Sequence, residues 1–181
     1  MNQGLIPRRY AKALFKFALE RNTDARIYEL MGRLADSFSA SRQLQQAVSN
    51  PFVSNGDKMK LLIAAAGATP ADEGFADFLK LLVNNNRLDM MHGIAIAYRE
   101  IYRQAHDIYV VHVTSASPLD TDEESRLKTM IRKHLNGGKM EYSLSVNPDL
   151  IGGFVININN ERLDASVANE LEQLRQKLLS N

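Results

Sequence analysis

The chain of 181 residues contains no cysteine, and this absence removes several kinds of chemistry at once. Disulfide bonds, thiolate nucleophiles and metal sites with cysteine ligands are all excluded. The longest apolar runs fall far short of the roughly 20 residues that a membrane-spanning helix needs. The N-terminus also lacks the continuous apolar core of a secretory signal. The net charge is only +1, so overall charge favours neither nucleic acid nor an anionic membrane as a partner.

Recognisable catalytic and ligand-binding motifs are also scarce. The four histidines form no i, i+4 pair, and Asp120–Ser125 lacks the glycine and glutamate of a calcium loop. Gly152 and Gly153 belong to no phosphate-binding motif, so tight packing or a bulge is the better interpretation. We therefore expect no catalytic residues, no bound metal and no cofactor.

The first hundred residues carry the apolar spacing of helices, and the composition, 45% hydrophobic and 24% charged, is that of a globular protein. Gly67, Pro51 and Pro70 separate the helical segments, and Asn84–Asn86 ends one of them with residues that tolerate a left-handed conformation. Because the connections are short, the pattern predicts a bundle of six helices. The predicted helices cover 6–21, 24–39, 44–48, 57–66, 75–83 and 88–105.

The pattern changes near Ala105–Asp107, where residues typical of strands begin. Strands are predicted at 107–116 and 139–146, with a helix between them that starts at a capping box formed by Thr121 and Glu124. A hairpin turning at Asn159–Asn160 follows, and either Asp164 or Ser166 could cap a final helix. The predicted fold class is α+β, with an N-terminal six-helix bundle over 1–105 and a small α/β domain over 106–181.

Two helices of the predicted bundle have wider apolar surfaces than one buried seam requires. The first carries Tyr10, Ala13, Leu14 and Phe17, and the fifth carries Phe78, Leu81 and Leu82. Because the side chain of Ala13 is small, another helix could approach closely, and a groove between two such helices could hold a third amphipathic helix. The alternative is that all these residues only fill the bundle.

Four segments, in order along the chain, resemble the delta subunit family of rotary ATP synthases, whose mitochondrial members are called oligomycin-sensitivity-conferring proteins. They are LIPRRYAKALFKFALE at 5–20, LLVNNNRLDMM at 81–91, VHVTSASPLD at 111–120 and NPDLIGGFVININNERLDASVANELEQLRQKLL at 147–179. The chain departs from the family pattern at Asn84–Asn86 and at Asn159–Glu161, and both departures keep turn-forming residues.

The resemblance implies a non-catalytic stator subunit that links the catalytic head to the peripheral stalk. It implies that the N-terminal helix of an alpha subunit binds between the first and fifth helices, at Tyr10, Ala13 and Leu81. It also implies that the C-terminal part meets the b-type stalk subunits. The family signature in that part, which we interpret as scaffold, is Leu150, Ile151, Gly152, Gly153, Asp164 and Ser166.

The expected location is the cytoplasmic face of the bacterial inner membrane, as a peripheral part of the complex. The basic start, with Arg8, Arg9 and Lys12, leaves a mitochondrial presequence open as an alternative. Two other functions also stay open. One is a helical nucleic-acid-binding or adaptor protein, which would show steep salt dependence. The other is a small enzyme with a site split between the two parts.

Overall fold

The structure is a computed structural model that describes residues 4–135, 137–159, 161–171 and 176. The chain divides into two compact units, Met1–Ala105 and His106–Asn181, and each has a hydrophobic cluster of its own. We call them the helical unit and the sheet unit. None of the helices in the described part of the chain is long and apolar enough to cross a membrane.

The helical unit contains six α-helices within its described residues, 4–105, together with one short 3-10 helix, Leu88–Met90. The sequence predicted a single helix from Leu88, whereas the first turn is a separate 3-10 helix that leads into α6. The α-helices are α1 (Leu5–Glu20), α2 (Asp24–Ala40), α3 (Arg42–Ser49), α4 (Asn55–Ala66), α5 (Glu73–Asn84) and α6 (Met91–Ala105).

Local chemistry explains where several of these helices begin and end. The Ser54 hydroxyl accepts a hydrogen bond from the Asp57 backbone N–H at 3.1 Å and so caps the start of α4. Gly67 ends α4 in the left-handed conformation, with φ of 64°. Asn86 plays the same part after α5, with φ of 53°, as the asparagine run predicted.

Helix α6 is the centre of the helical core and packs against both α1 and α2. Tyr98 of α6 is fully buried, meets the Phe15 ring edge-on at 5.9 Å, and donates its hydroxyl hydrogen to the Asp24 carbonyl oxygen at 3.2 Å. Burial raises the pKa of Tyr98 well above its usual range. α1 packs on this core by the face that carries Ala11, Leu14, Phe15 and Ala18.

The sheet unit is built on four strands in the order β2-β1-β3-β4. The strands are β1 (Ile108–Ser115), β2 (Lys139–Val146), β3 (Gly153–Ile158) and β4 (Glu161–Ser166). β1 and β2 are parallel and are joined through α7 (Thr121–His134), whereas β3 is antiparallel to both β1 and β4. Ile158 pairs with Glu161, so the β3–β4 turn has two residues, and Asn159 has a φ of 50° as predicted. Asn160 lies outside the described residues.

One prediction about α7 was wrong by one residue. The capping box consists of Asp120 and Glu123, not Thr121 and Glu124. The Asp120 carboxylate accepts from the Glu123 backbone N–H at 2.7 Å, and the Glu123 carboxylate accepts from the Asp120 N–H at 3.1 Å. Both pairs have the same spacing, and the extended backbone at Asp120 decides between them.

Together the helices and the mixed sheet confirm the predicted α+β class.

Candidate partner-binding site

One side of α1 carries a continuous row of apolar residues that the helical core does not fully cover. Residues spaced by four, three and four positions lie on one face of a helix. Ala13 in this row is exposed, and the other members are half-buried. We call this row the α1 stripe, and it consists of Ile6, Tyr10, Ala13 and Phe17.

A matching row lies on α5. Gly74 is half-buried, Phe78 is buried and Leu81 is 46% exposed. These three residues form the α5 stripe, again with spacings of four and three. Leu81 is the member whose side chain is most available to another molecule.

Two contacts fix how the stripes run. A Cβ on Gly74 would lie 3.3 Å from Phe17 Cε1, so the end of α1 touches the start of α5. At the other end, a Cβ on Gly93, near the start of α6, would lie 3.2 Å from Pro7 Cγ. Because α5 ends shortly before α6 begins, α1 and α5 run in opposite directions. Leu81, seven residues after Gly74, therefore lies toward the end of α5 that is nearer to the N-terminal half of α1.

Apart from the contact at Phe17, α1 and α5 are not closely packed along their lengths. α1 packs mainly on α6, whereas α5 packs on α4 and on the 3-10 helix. The two stripes with the space between them are called here the α1–α5 surface. The guanidinium of Arg21 lies over the Phe17 ring, 4.3 Å from its centre, at one end of this surface.

Two residues predicted to contact a partner lie inside the helical core. Leu14 is only 3% exposed and Phe78 only 7%. Their side chains point to the core because α1 and α5 each pack on it by the face that carries them. In this structure they support the surface from beneath, and Ala13 and Leu81 form its accessible part.

The start of α5 is held in place by an ion pair with α2. Arg26 donates from Nε to Asp72 Oδ1 at 2.9 Å and from Nη2 to Oδ2 at 3.0 Å. The Thr69 backbone N–H and hydroxyl also donate to Asp72 Oδ2, at 2.8 and 3.0 Å. The hydrogen bonds from Arg26 hold the pKa of Asp72 well below its usual range, and those from Thr69 act in the same direction. The carboxylate thus fixes the loop that leads into α5.

The glycine pair of the family-like signature has a structural role in the sheet unit. Gly153 has a φ of 74°, and a Cβ there would overlap the Ala165 carbonyl oxygen on β4. A Cβ on Gly152 would lie 3.0 Å from Val167 Cγ2. Position 153 therefore needs glycine for close packing of the backbone, whereas a side chain at position 152 would require only a small shift of the Val167 side chain. Leu150 ends a short 3-10 helix and is half-buried, whereas the neighbouring Ile151 is 69% exposed.

Asp164 and Ser166 act together at the end of β4. The Ser166 hydroxyl donates to Asp164 Oδ1 at 2.6 Å and accepts from the Asn169 backbone N–H at 3.2 Å. Ser166 therefore caps the helical residues 167–171, and Asp164 orients the capping hydroxyl. The hydrogen bond from Ser166, followed by that from Arg162 at 2.8 Å, lowers the pKa of Asp164.

Sequence reasoning missed two residues of the α1–α5 surface and one residue that anchors the start of α5. Ile6 and Gly74 complete the stripes, and their spacing from Tyr10 and Phe78 was a visible signal. Asp72 gave no such signal, because its partner Arg26 lies 46 positions away in the sequence. Among the residues that the structure describes, no cluster of histidine, aspartate and glutamate could hold a metal ion.

Known proteins match nearly the whole chain. The family model described as "ATP synthase delta (OSCP) subunit" matches residues 6–178. The ATP synthase subunit delta of Parabacteroides distasonis is 40% identical over 181 residues, which is 100% of this chain and 99% of that protein. The corresponding subunit of Phocaeicola vulgatus is 34% identical over 98% of this chain and 95% of its own length.

A solved structure shows the same fold. A chain of the Toxoplasma gondii mitochondrial ATP synthase hexamer matches with a TM-score of 0.71 at 22% identity, over 96% of this chain and 97% of that one. The family model and the full-length relatives, rather than this structural match, show to which family the chain belongs. The chain belongs to the ATP synthase delta (OSCP) subunit family.

Proposed function

We propose that the helical unit holds the N-terminal helix of a catalytic-head alpha subunit on the α1–α5 surface, while the sheet unit meets the b-type subunits of the peripheral stalk. The chain is a stator component of the ATP synthase peripheral stalk, and its role is structural rather than catalytic. In this arrangement it joins the head to the stalk, so the head cannot turn with the rotor.

One observation carries the proposal for the helical unit. Ala13 and Leu81 are exposed on two antiparallel helices whose facing rows are apolar. Tyr10 and Phe17 are half-buried on either side of Ala13, so the apolar surface of α1 extends beyond one residue, and contiguous apolar surface marks interaction sites more often than an isolated exposed leucine does. A partner helix with apolar residues spaced by three and four positions would cover both stripes.

The small side chain at position 13 is evidence that the partner on the α1–α5 surface is a helix. Tyr10 and Phe17 lie on either side of Ala13 in the α1 stripe, so the stripe has a shallow centre between two rings. A helix could place a large apolar side chain over Ala13 and contact both rings. Anchoring of a few aliphatic and aromatic side chains commonly supplies most of the binding free energy at such an interface.

A stator joint needs slow dissociation, which requires a well-packed contact rather than a reactive group. A nanomolar contact corresponds to about −12 kcal/mol. On this proposal the first 105 residues act as a six-helix bundle that binds the head, and residues 106–181 act as the domain that meets the stalk. Because the full-length relatives are bacterial subunits, the proposed location is the cytoplasmic face of the inner membrane, as a peripheral part of the complex.

The test compares the same substitution at two equally exposed leucines. Leu81 on α5 is 46% exposed, and Leu61 on α4 is 42% exposed. We expect Leu81→Asp to weaken binding of an alpha-subunit N-terminal peptide by roughly 30-fold or more, because it places a charge in an apolar contact. Leu61→Asp should leave the affinity unchanged within about twofold. Isothermal titration calorimetry gives both affinities, and circular dichroism checks that both variants fold.

Equal affinities for the wild type and Leu81→Asp would contradict the proposed surface. A pull-down from membranes tests the proposed link between head and stalk. The proposal requires both the alpha and the b-type subunits to co-purify with the chain.

A further inference from the structure

We propose that the helix bound on the α1–α5 surface carries carboxylates along the edge that faces α1, and that Arg9 and Lys16 select for them. The inference rests on the proposed function and extends it to the chemistry of the partner. It follows from the charges on either side of the two stripes.

The edge of the α1 stripe is basic. Arg9, Ala13 and Lys16 follow one another at spacings of four and three, so they share the row next to the half-buried rings. Arg9 and Lys16 are exposed, and within the described part of the chain neither forms an ion pair. Glu20 is the only acidic residue of α1, and it lies at the C-terminal end of the row.

The edge of the α5 stripe differs in sign. Asp77 and Glu73 are exposed on this side of α5, and the one lysine of the helix, Lys80, is paired with Asp77 at 2.9 Å. Two carboxylates against one ammonium leave this edge with a net negative charge. The α1–α5 surface thus lies between a basic edge and a weakly acidic one.

A surface with edges of opposite sign distinguishes between the two sides of a helix that lies on it. A partner with carboxylates toward α1 gains attraction there, whereas the same helix turned about its axis would place them beside Asp77. The apolar stripes supply affinity, and the charged edges set how the partner is rotated. Because Arg9 and Lys16 are exposed, they should act mainly on the rate of association and on its salt dependence.

The chain offers a matched pair of arginines for the test. Arg8 and Arg9 are neighbours of the same type and are both exposed, but successive residues lie about 100° apart around a helix. Arg9 lies beside the α1 stripe, and Arg8 lies toward the opposite flank. Arg8→Glu and Arg9→Glu therefore change the net charge equally, and only Arg9→Glu changes the edge of the binding surface.

The experiment measures association and dissociation rates of the full chain with the N-terminal peptide of the alpha subunit from the same complex. We expect Arg9→Glu to slow association about tenfold at low salt, and Arg8→Glu to slow it no more than about threefold. Dissociation should change less than association, and the difference between the two variants should shrink at high salt. Replacing the peptide's carboxylates on one edge by lysine should restore fast association with Arg9→Glu.

Three outcomes would overturn the inference. The first is an equal effect of Arg8→Glu and Arg9→Glu on a peptide that still binds the wild type, which would leave the proposed function intact. The second is a peptide that binds without carboxylates on either edge. The third is an RNA oligonucleotide whose binding depends on Arg9 while the peptide does not bind at all, which would overturn the proposed function as well.

Discussion

The two units of the chain use their distinctive residues in opposite ways. In the helical unit, two residues singled out from the sequence, Ala13 and Leu81, keep uncovered surface. In the sheet unit, Gly153, Asp164 and Ser166 of the signature are engaged with neighbouring residues, whereas Ile151 is 69% exposed. Gly153 packs against the Ala165 carbonyl, and Ser166 bonds to Asp164 and to the next helical turn.

The difference shows that a distinctive pattern can mark either a binding surface or a fold requirement. The signature in the sheet unit fixes backbone conformation, so its loss would disturb folding first. Ala13 and Leu81 of the helical unit contribute little to its core, so their loss would disturb binding first. Substitutions in the two units separate these two consequences.

The largest expected effect is on the stability of the sheet unit. Gly153→Ala places a Cβ at a φ of 74° and against the Ala165 carbonyl oxygen. We expect a loss of about 3 kcal/mol or more in the free energy of unfolding of that unit, since backbone strain and overlap both contribute. Hydrogen exchange read by mass spectrometry should show faster exchange in β3 and β4.

Gly137→Ala is the matched control. Gly137 also has a positive φ, 83°, but a Cβ there would meet no described atom within 4 Å. We expect the free energy of unfolding to fall by about 1–2 kcal/mol, because only the backbone strain of a positive φ contributes. Binding of the alpha-subunit peptide should stay unchanged in both variants. If Gly153→Ala abolished that binding while α1–α6 exchanged normally, the division of roles between the units would be contradicted.

A smaller effect is expected at the anchor of α5. Asp72→Asn removes the charge that pairs with Arg26, and the remaining hydrogen bonds are weaker. We expect the free energy of unfolding of the helical unit to fall by about 1–3 kcal/mol. Exchange should quicken first at the start of α5, with little change in the sheet unit. Equal changes in both units would argue against a local role for this ion pair.

The same anchor predicts how stability depends on pH. The folded pKa of Asp72 is below its unfolded value near 4, so its contribution is fully present above about pH 5. As the pH falls below that range, the unfolded chain takes up a proton first, and the helical unit loses stability. Between pH 7 and pH 3, the free energy of unfolding measured with urea should fall less steeply in Asp72→Asn than in the wild type. Hydrogen exchange in α5 over the same pH range should show the same difference.

Much of the local structure could be predicted from the sequence because short-range chemistry determines it. The asparagines after α5, the two-residue β3–β4 turn and the change from helical to strand spacing all have local causes. The capping box at α7 shows the limit of such reasoning. Asp120–Glu123 and Thr121–Glu124 have the same spacing, and only the backbone conformation separates them.

The candidate site was less predictable, because α1 has apolar residues on more than half of its circumference. The sequence does not determine whether Tyr10 or Leu14 is buried in the core. In the structure Leu14 is buried and Tyr10 is only half-buried. The antiparallel course of α1 and α5 depends on contacts between distant residues, such as Pro7 with Gly93. Periodicity within one helix contains no information of that kind.

The absence of cysteine allows the central claim, that a partner helix covers the α1–α5 surface, to be tested directly. Ala13→Cys introduces a single thiol at an exposed position of the α1 stripe, and Leu163→Cys introduces one at a 61% exposed position of β4. A thiol reagent should modify both quickly in the free chain. With saturating alpha-subunit peptide, we predict at least tenfold slower modification at position 13 and an unchanged rate at position 163. Equal rates at position 13 with and without bound peptide would contradict the account.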